Sequence, residues 1–479
     1  MIKKIFIVIL LNCFFSNTIF GQKDNGFRGI WYAIGKTNNE YVHKYSGGLS
    51  TYPSNHYPFS IYSPKVQKTF FCYGGSSKDS IPSLLHEIAY FDHKTKKVSR
   101  PTIVLDKQTN DAHDNPVLSI DNEGFIWLFS TSHGIERPSF IHKSTLPYDI
   151  SSFKKIVATR IENGKVVSFD NFSYLQIYNQ GADGFFGLMT HYEKNVLKYG
   201  ASKPRRTIGF VTSKNGVEWS EIKDIAKIQE GHYQTSGIHG KTIGTAFNFH
   251  PDTEKGAGLD YRTNLYFIST SDVGKTWQTA NKQTVHLPFE TIQNPALVRD
   301  YQKEKLNVYI NDVAFDAKNQ PIILYITSKG PEPGPQNAPY AWWIAHFSQN
   351  QWKFSEVTQS DHNYDMGSLY VEGDRWRIIA PTQNSPQAFN TGGEIIVWES
   401  NNQGKTWKKV KELTKNSKYN HSYPRKPIQA HSDFYAFWAD GHPRKPSPSS
   451  LYFANKKGEV YKLPETMNQE FQNPILIKK

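Results

Sequence analysis

Short apolar runs with alternating polar positions, broken by turn-forming residues, recur along almost the whole chain. Pro116 to Ile120 and Phe125 to Thr131 flank the turn Asp121-Asn122-Glu123-Gly124, a pattern that predicts a β-hairpin. Similar pairs surround residues 64–66, 181–184, 239–240, 317–319, 373–374 and 432–433. First strands of these pairs are expected near residues 57, 115, 171, 235, 306, 367 and 424, at intervals of 56 to 71 residues. Each interval leaves room for two further strands, and no long helical periodicity interrupts them. A repeat of this size predicts an all-β, seven-bladed β-propeller of four-stranded antiparallel blades. Weak outer strands leave counts of six or eight open.

Local motifs support the repeat. Thr270 to Trp277 reads as an Asp-box, a turn joining the outer two strands of a blade. In such a turn the Asp bonds backbone amides, the Gly permits positive φ, and the Trp packs between strands. Thr212 to Trp219 and Ser400 to Trp407 are decayed copies, with tryptophans 58 and 130 residues from their neighbours in the series.

Residues 1–21 have the form of a cleaved leader, with Lys3 and Lys4 before the apolar run Ile5 to Leu11. That run is too short to span a bilayer, and Asn12 before Cys13 argues against a lipid anchor. The mature protein is therefore expected to be secreted or periplasmic, without membrane insertion. Residues 22–479 carry no linker and are expected to form one propeller domain and to act as a monomer. Loss of Cys13 leaves Cys72 alone, so no intramolecular disulfide is expected, and its apolar surroundings predict a buried, inert thiol. The formal charge of +13 is scattered without a nucleic-acid motif, which favours an acidic polysaccharide over nucleic acid as partner.

Strand direction turns the repeat into a prediction about chemistry. The start of strand one, the end of strand two and the start of strand three lie on one face of a propeller. His113 and His133 bracket the second hairpin, Tyr174 and His191 the third, and His232, Tyr233 and His250 the fourth. Arg206 and Arg262 open third strands on the same face. Singly, each residue has a structural explanation; together they predict a site of imidazoles, phenols and guanidinia. No carboxylate pair at readable spacing supports a two-carboxylate glycosidase, and HExxH, CxxC and GxSxG are absent from the sequence. His and Tyr can move protons and Arg is a permanent cation matched to carboxylates, a set that suits β-elimination at a uronic acid.

At these residues the chain resembles the BNR-repeat, seven-bladed propeller polysaccharide lyases that include ulvan lyases. The resemblance runs through Gly29 to Tyr32, Asp111 to Pro116, Ser130 to Gly134, Asn171 to Tyr174, Arg205 to Thr207, Arg262 to Tyr266 and Ala439 to His442. It implies catalytic roles for His113, Tyr174 and Arg206, with His133 as a second active-site imidazole; His191, Tyr233 and Arg262, which strand direction puts on the same face, are expected to contact substrate. Arg205 competes with Arg206, because residues 195–204 look like an insertion, and the base and acid roles of His113 and Tyr174 stay open. Cleavage of a sulfated rhamnose–uronate polysaccharide of ulvan type would need no cofactor. A structural metal is left open, with Ala439 to His442 as one source of ligands. Related propeller α-L-rhamnosidases use a single histidine on the opposite face, for which His43 and His56 are candidates, although strand direction puts His56 on the lyase face. A non-catalytic carbohydrate-binding propeller is a third reading. A sialidase is a weaker one, because Asp-boxes are structural turns.

Overall fold

The computed structural model describes residues 18–49, 55–77, 83–134, 136–192, 206–252, 260–383 and 385–478. The described residues are all-β and contain no α-helix. Most of the expected leader, and both Arg205 and the insertion before it, lie outside them.

Seven sheets each contain a path of four antiparallel strands laid side by side in chain order. The first runs from Ser60–Ser63 to Thr102–Asp106, the second from Pro116–Ile120 to Ser152–Ile156, and the third from Ser173–Asn179 to Lys223–Ala226. The fourth runs from Gln234–His239 to Trp277–Gln278, the fifth from Asn307–Phe315 to Gln351–Ser360. The sixth runs from Ser368–Glu372 to Lys408–Glu412 and the seventh from Asn420–Arg425 to Val460–Lys462. Thr18–Phe20 and Gln22–Lys23 add edge strands to the second and first sheets. A separate hairpin, Tyr32–Lys36 with His43–Gly47, lies outside the repeat.

First strands meet their neighbours through polar contacts. Leu118 N–H donates to Pro58 O and Asn179 Nδ2 to Ile120 O. Gln176 Nε2 donates to Gln234 O, Thr235 Oγ1 to Ile310 O, Leu369 N–H to Asp312 and Ser368 Oγ to Pro424 O. Just past the first strand of the seventh sheet, Ile428 bonds back to Ser60 and Tyr62 of the first. Apolar side chains fill the seams between sheets instead of one central core. Trp127 and Phe129 of the second sheet cluster with Phe185 and Val211 of the third, and Phe210 of the third with Trp277 and Phe247 of the fourth. Each such side chain contributes roughly 1.5–3 kcal/mol on burial.

The Asp-box geometry matches the sequence logic. Asp272 accepts Thr276 N–H at 2.9 Å, and Gly274 sits at φ 78°, where an added Cβ would lie 2.3 Å from Phe210. Trp277 packs its ring 5.3 Å from that of Phe210, sealing the seam. Cys72 is buried, and burial raises its thiol pKa well above the ordinary value. No helix among the described residues is long and apolar enough to cross a membrane.

Candidate active site

His113 precedes the strand Pro116–Ile120 and His133 follows Ile126–Ser130. Pro116 pairs with Ser130, so the hairpin register brings the two imidazoles to one end. They stack, with centroids 3.9 Å apart and planes 10° from parallel. Asp111 holds both. Its Oδ1 accepts from the His113 backbone N–H at 3.0 Å and meets Nδ1 at 2.5 Å, and its Oδ2 meets His133 Nδ1 at 3.1 Å. Arg137 clamps the arrangement, donating to Asp111 at 2.6 Å and to both oxygens of buried Asp114 at 3.0 Å. Asp114 in turn accepts the His133 backbone N–H.

Burial opposes ionisation of Asp111, but hydrogen bonds from His113 and His133 outweigh it and hold its carboxyl well below the usual range. Burial lowers the His113 pKa below 6.5, and the neighbouring His133 lowers it further, against the pull of Asp111. At neutral pH His113 is thus an uncharged imidazole. With Nδ1–H donated to the carboxylate, its Nε2 carries the lone pair.

Tyr174 enters from the third sheet. A register shift between Ser173 and Gln176 marks a bulge in its strand, and Tyr174 itself adopts φ 51°. Left-handed backbone in a bulky residue is sparsely populated and concentrates at functional sites. The bulge aims the ring between His56, at 5.3 Å, and His113, at 5.8 Å. Its hydroxyl lies 3.5 Å from that of Tyr233, which accepts from Arg206 Nη1 at 2.6 Å. Burial, then the phenols of Tyr233 and Tyr192, raise the Tyr174 pKa well above 10, so the phenol is neutral.

Arg206 opens the third strand of its sheet opposite Tyr192 and is 5% exposed. Its Nη2 lies 3.4 Å from His250 Nε2, and its Nε is buried without a hydrogen-bond partner among the described residues. Arg262 stands behind Tyr233, its guanidinium carbon 4.4 Å from that ring, and donates to Tyr364. A continuous line of side chains therefore joins His133, His113, Tyr174, Tyr233, Arg206 and Arg262 across three neighbouring sheets.

One expected contact does not join them. His191 bonds Asp224 at 2.7 Å on the outer strand of its sheet, which corrects its placement at the substrate. Side chains alternate along a strand, and the adjacent Tyr192 is the one that faces Arg206 and His133. His232 is likewise structural: it bonds Asn248 O and Ile228 N–H. Asp111, Arg137 and Tyr192 carried no assigned role from sequence. The hint of the first was its place at the head of the Asp111 to Pro116 motif, two residues before His113.

The hairpin 32–47 lies over the same ends of the strands. Lys44 pairs with Asp260 and Glu332, Tyr45 packs on Tyr364, and Asn390 bonds Tyr41 O. His43, which contacts Pro443 O, and His56, which contacts His113 O, therefore both sit at the end that carries the cluster. Neither occupies the opposite face that the rhamnosidase reading requires. A cavity opens at that opposite end, lined by Tyr57, Tyr178, His239, Asp312 and Tyr370, and contains none of the clustered groups.

Asp111, His113 and His133 also have metal-compatible spacing. Arg137 and the two imidazoles already satisfy the carboxylate, however, and the guanidinium opposes a second cation. The Ala439 to His442 loop forms no such cluster: Asp440 accepts from Ser450 and Tyr452, and His442 accepts Arg444 N–H.

A polysaccharide lyase family 25 ulvan lyase superposes with a TM-score of 0.68 at 16% identity, covering 95% of this chain and 98% of that one. An ulvan lyase of that family bound to -[GlcA(1-4)Rha3S]- gives 0.68 at 15%, with the same coverage. At such identity the likeness is one of propeller-like fold. No curated protein sequence matches the chain. The model of the BNR repeat-containing family matches residues 86–360, more than half of the chain, and the protein belongs to that family.

Proposed function

We propose that the protein is an exported polysaccharide lyase. Its seven sheets would be the blades of one closed propeller, residues 22–479, acting on a sulfated rhamnose–uronate polymer of ulvan type by β-elimination. The observation that carries this reading is the line of contacts from His113 through Tyr174 and Tyr233 to Arg206. On this reading a base, an acid and a carboxylate-binding cation would stand within one sugar's reach. The bond from Ile428 to the first sheet supports closure after seven blades.

Arg206 binds the uronate carboxylate, satisfying its unpartnered Nε and withdrawing charge from C5. His113 Nε2 removes the C5 proton, and Asp111 stabilises the imidazolium that forms. The Tyr174 hydroxyl gives its proton to the departing O4. The products are a double bond between C4 and C5 and a new chain end, and solvent exchange returns the proton from His113 to Tyr174. The electrostatics favour this direction of transfer, because His113 rests neutral and Tyr174 protonated. His133 would steady the ring of His113 and meet substrate from its more exposed side.

The test is incubation with ulvan while recording the ultraviolet absorbance of the unsaturated uronate. Growth of that signal, abolished in Arg206→Ala and His113→Ala, is expected. Its absence on ulvan, rhamnogalacturonan-type and gum arabic chains would contradict the reading, and free rhamnose without unsaturated sugar would favour the hydrolase.

A further inference from the structure

A second imidazole–carboxylate cluster lies at the other end of the strands, where the seventh sheet meets the first. His93 immediately follows the third strand of the first sheet, and His431 and Asp433 occupy the turn after the seventh sheet's first strand. One ligand atom from each residue falls within a group spanning no more than 4.8 Å.

Its distances set it apart from the other histidine–carboxylate pairs among the described residues. His113 and His133 meet Asp111, His191 meets Asp224, and His346 meets Asp316 at 2.5 to 3.1 Å, as hydrogen bonds do. His93 Nδ1 and His431 Nδ1 both stop 3.5 Å from Asp433 Oδ2. That is long for a hydrogen bond. It matches the edge of a tetrahedral zinc site, where bonds of about 2.0–2.1 Å set donor atoms about 3.4 Å apart.

His93 adds an independent sign. It is 7% exposed, and its Nδ1 is buried without a hydrogen-bond partner while aimed at the other two residues. Its Nε2 lies 2.8 Å from Thr69 Oγ1, the outer contact that fixes a metal-binding imidazole and leaves the inner nitrogen its lone pair.

We propose that His93, His431 and Asp433 bind one divalent transition-metal ion of the zinc class, which ties the last sheet to the first. Lys96 Nζ lies 2.5 Å from Asp433 Oδ2, and His431 Nδ1 accepts the Asp433 N–H. Metal binding displaces both: the exposed Lys96 swings into solvent and the amide contact is exchanged for a metal bond. The ion would staple the seam in a chain whose described residues contain a single, buried cysteine.

Zinc chloride titrated into chelator-treated protein, read by calorimetry and by thermal melting, tests this. Wild type is expected to bind one equivalent and to melt at higher temperature with zinc. His431→Ala and Asp433→Asn change partly exposed side chains, so the fold should survive while affinity falls at least roughly 100-fold. His133→Ala should bind as wild type does. No zinc binding, binding lost in His133→Ala instead, or an unchanged response in His431→Ala would overturn the proposal. None of these outcomes bears on the lyase reading, whose residues stand at the other end of the strands.

Discussion

Tyr174→Phe deletes one hydroxyl and leaves the ring in place. The packing against His56, His113 and Tyr233, at 5.3 to 5.8 Å between centroids, is unchanged in shape. The contact with the Tyr233 hydroxyl is 3.5 Å, longer than a good O–H···O bond, so its loss should cost under about 1 kcal/mol of stability. Removing a general acid costs roughly 10²–10⁴ in rate, or about 3–5.5 kcal/mol of barrier. The variant should therefore fold and bind polymer normally while kcat and kcat/KM fall together. Initial rates from unsaturated uronate, melting curves and polymer affinity separate these effects. The pH profile adds a second check. His113, lowered by burial, places the acidic limb below pH 6.5, and Tyr174, raised by burial, imposes no alkaline limb below pH 10. A variant within a factor of roughly three of wild-type rate would refute the role of this hydroxyl.

Asp111→Asn should lower the rate by roughly 10²–10⁴, because an amide facing His113 Nδ1 favours the tautomer with Nε2 protonated; a near-wild-type rate would show that Asp111 does not set the base. His191→Ala should leave kcat and KM unchanged and cost at most about 1 kcal/mol in denaturant unfolding, since Asp224 keeps Lys227. Acid should weaken the fold through His362 and His421, whose pKa values burial lowers from 6.5 to about 3. The unfolded chain takes up these protons first, so stability present above pH 6.5 falls by about 2 kcal/mol per residue at pH 5. Denaturant midpoints that stay flat from pH 7 to pH 5 would contradict this.

Much of the fold was legible because strand alternation and turn chemistry are local. All seven first strands begin within four residues of their expected positions. His113 and His133 could be paired because equal distances from a turn fix two residues at one hairpin end. Tyr174 and Arg206 followed from strand direction. His191 failed by a single residue, since period two exchanges facing and outward side chains. Asp111 was hidden because its role depends on bonds to two strand ends and to Arg137. The hairpin 32–47 was equally opaque: Lys44 finds Asp260 and Glu332 only after the sheets assemble. The bulge at Tyr174 arises from Ser173 and Gln176 pairing out of step, which no short-range signal announces.

Elimination and hydrolysis differ in the fate of water, and that difference reaches the central claim most directly. Ulvan should be digested in water enriched in heavy oxygen, and the new chain ends weighed by mass spectrometry. Proton transfer from C5 to His113 and from Tyr174 to O4 adds no solvent oxygen. The account therefore predicts unlabelled fragments, with each uronate end lighter by one water than a hydrolysis product. Fragments of hydrolytic mass that carry the heavy oxygen would contradict it.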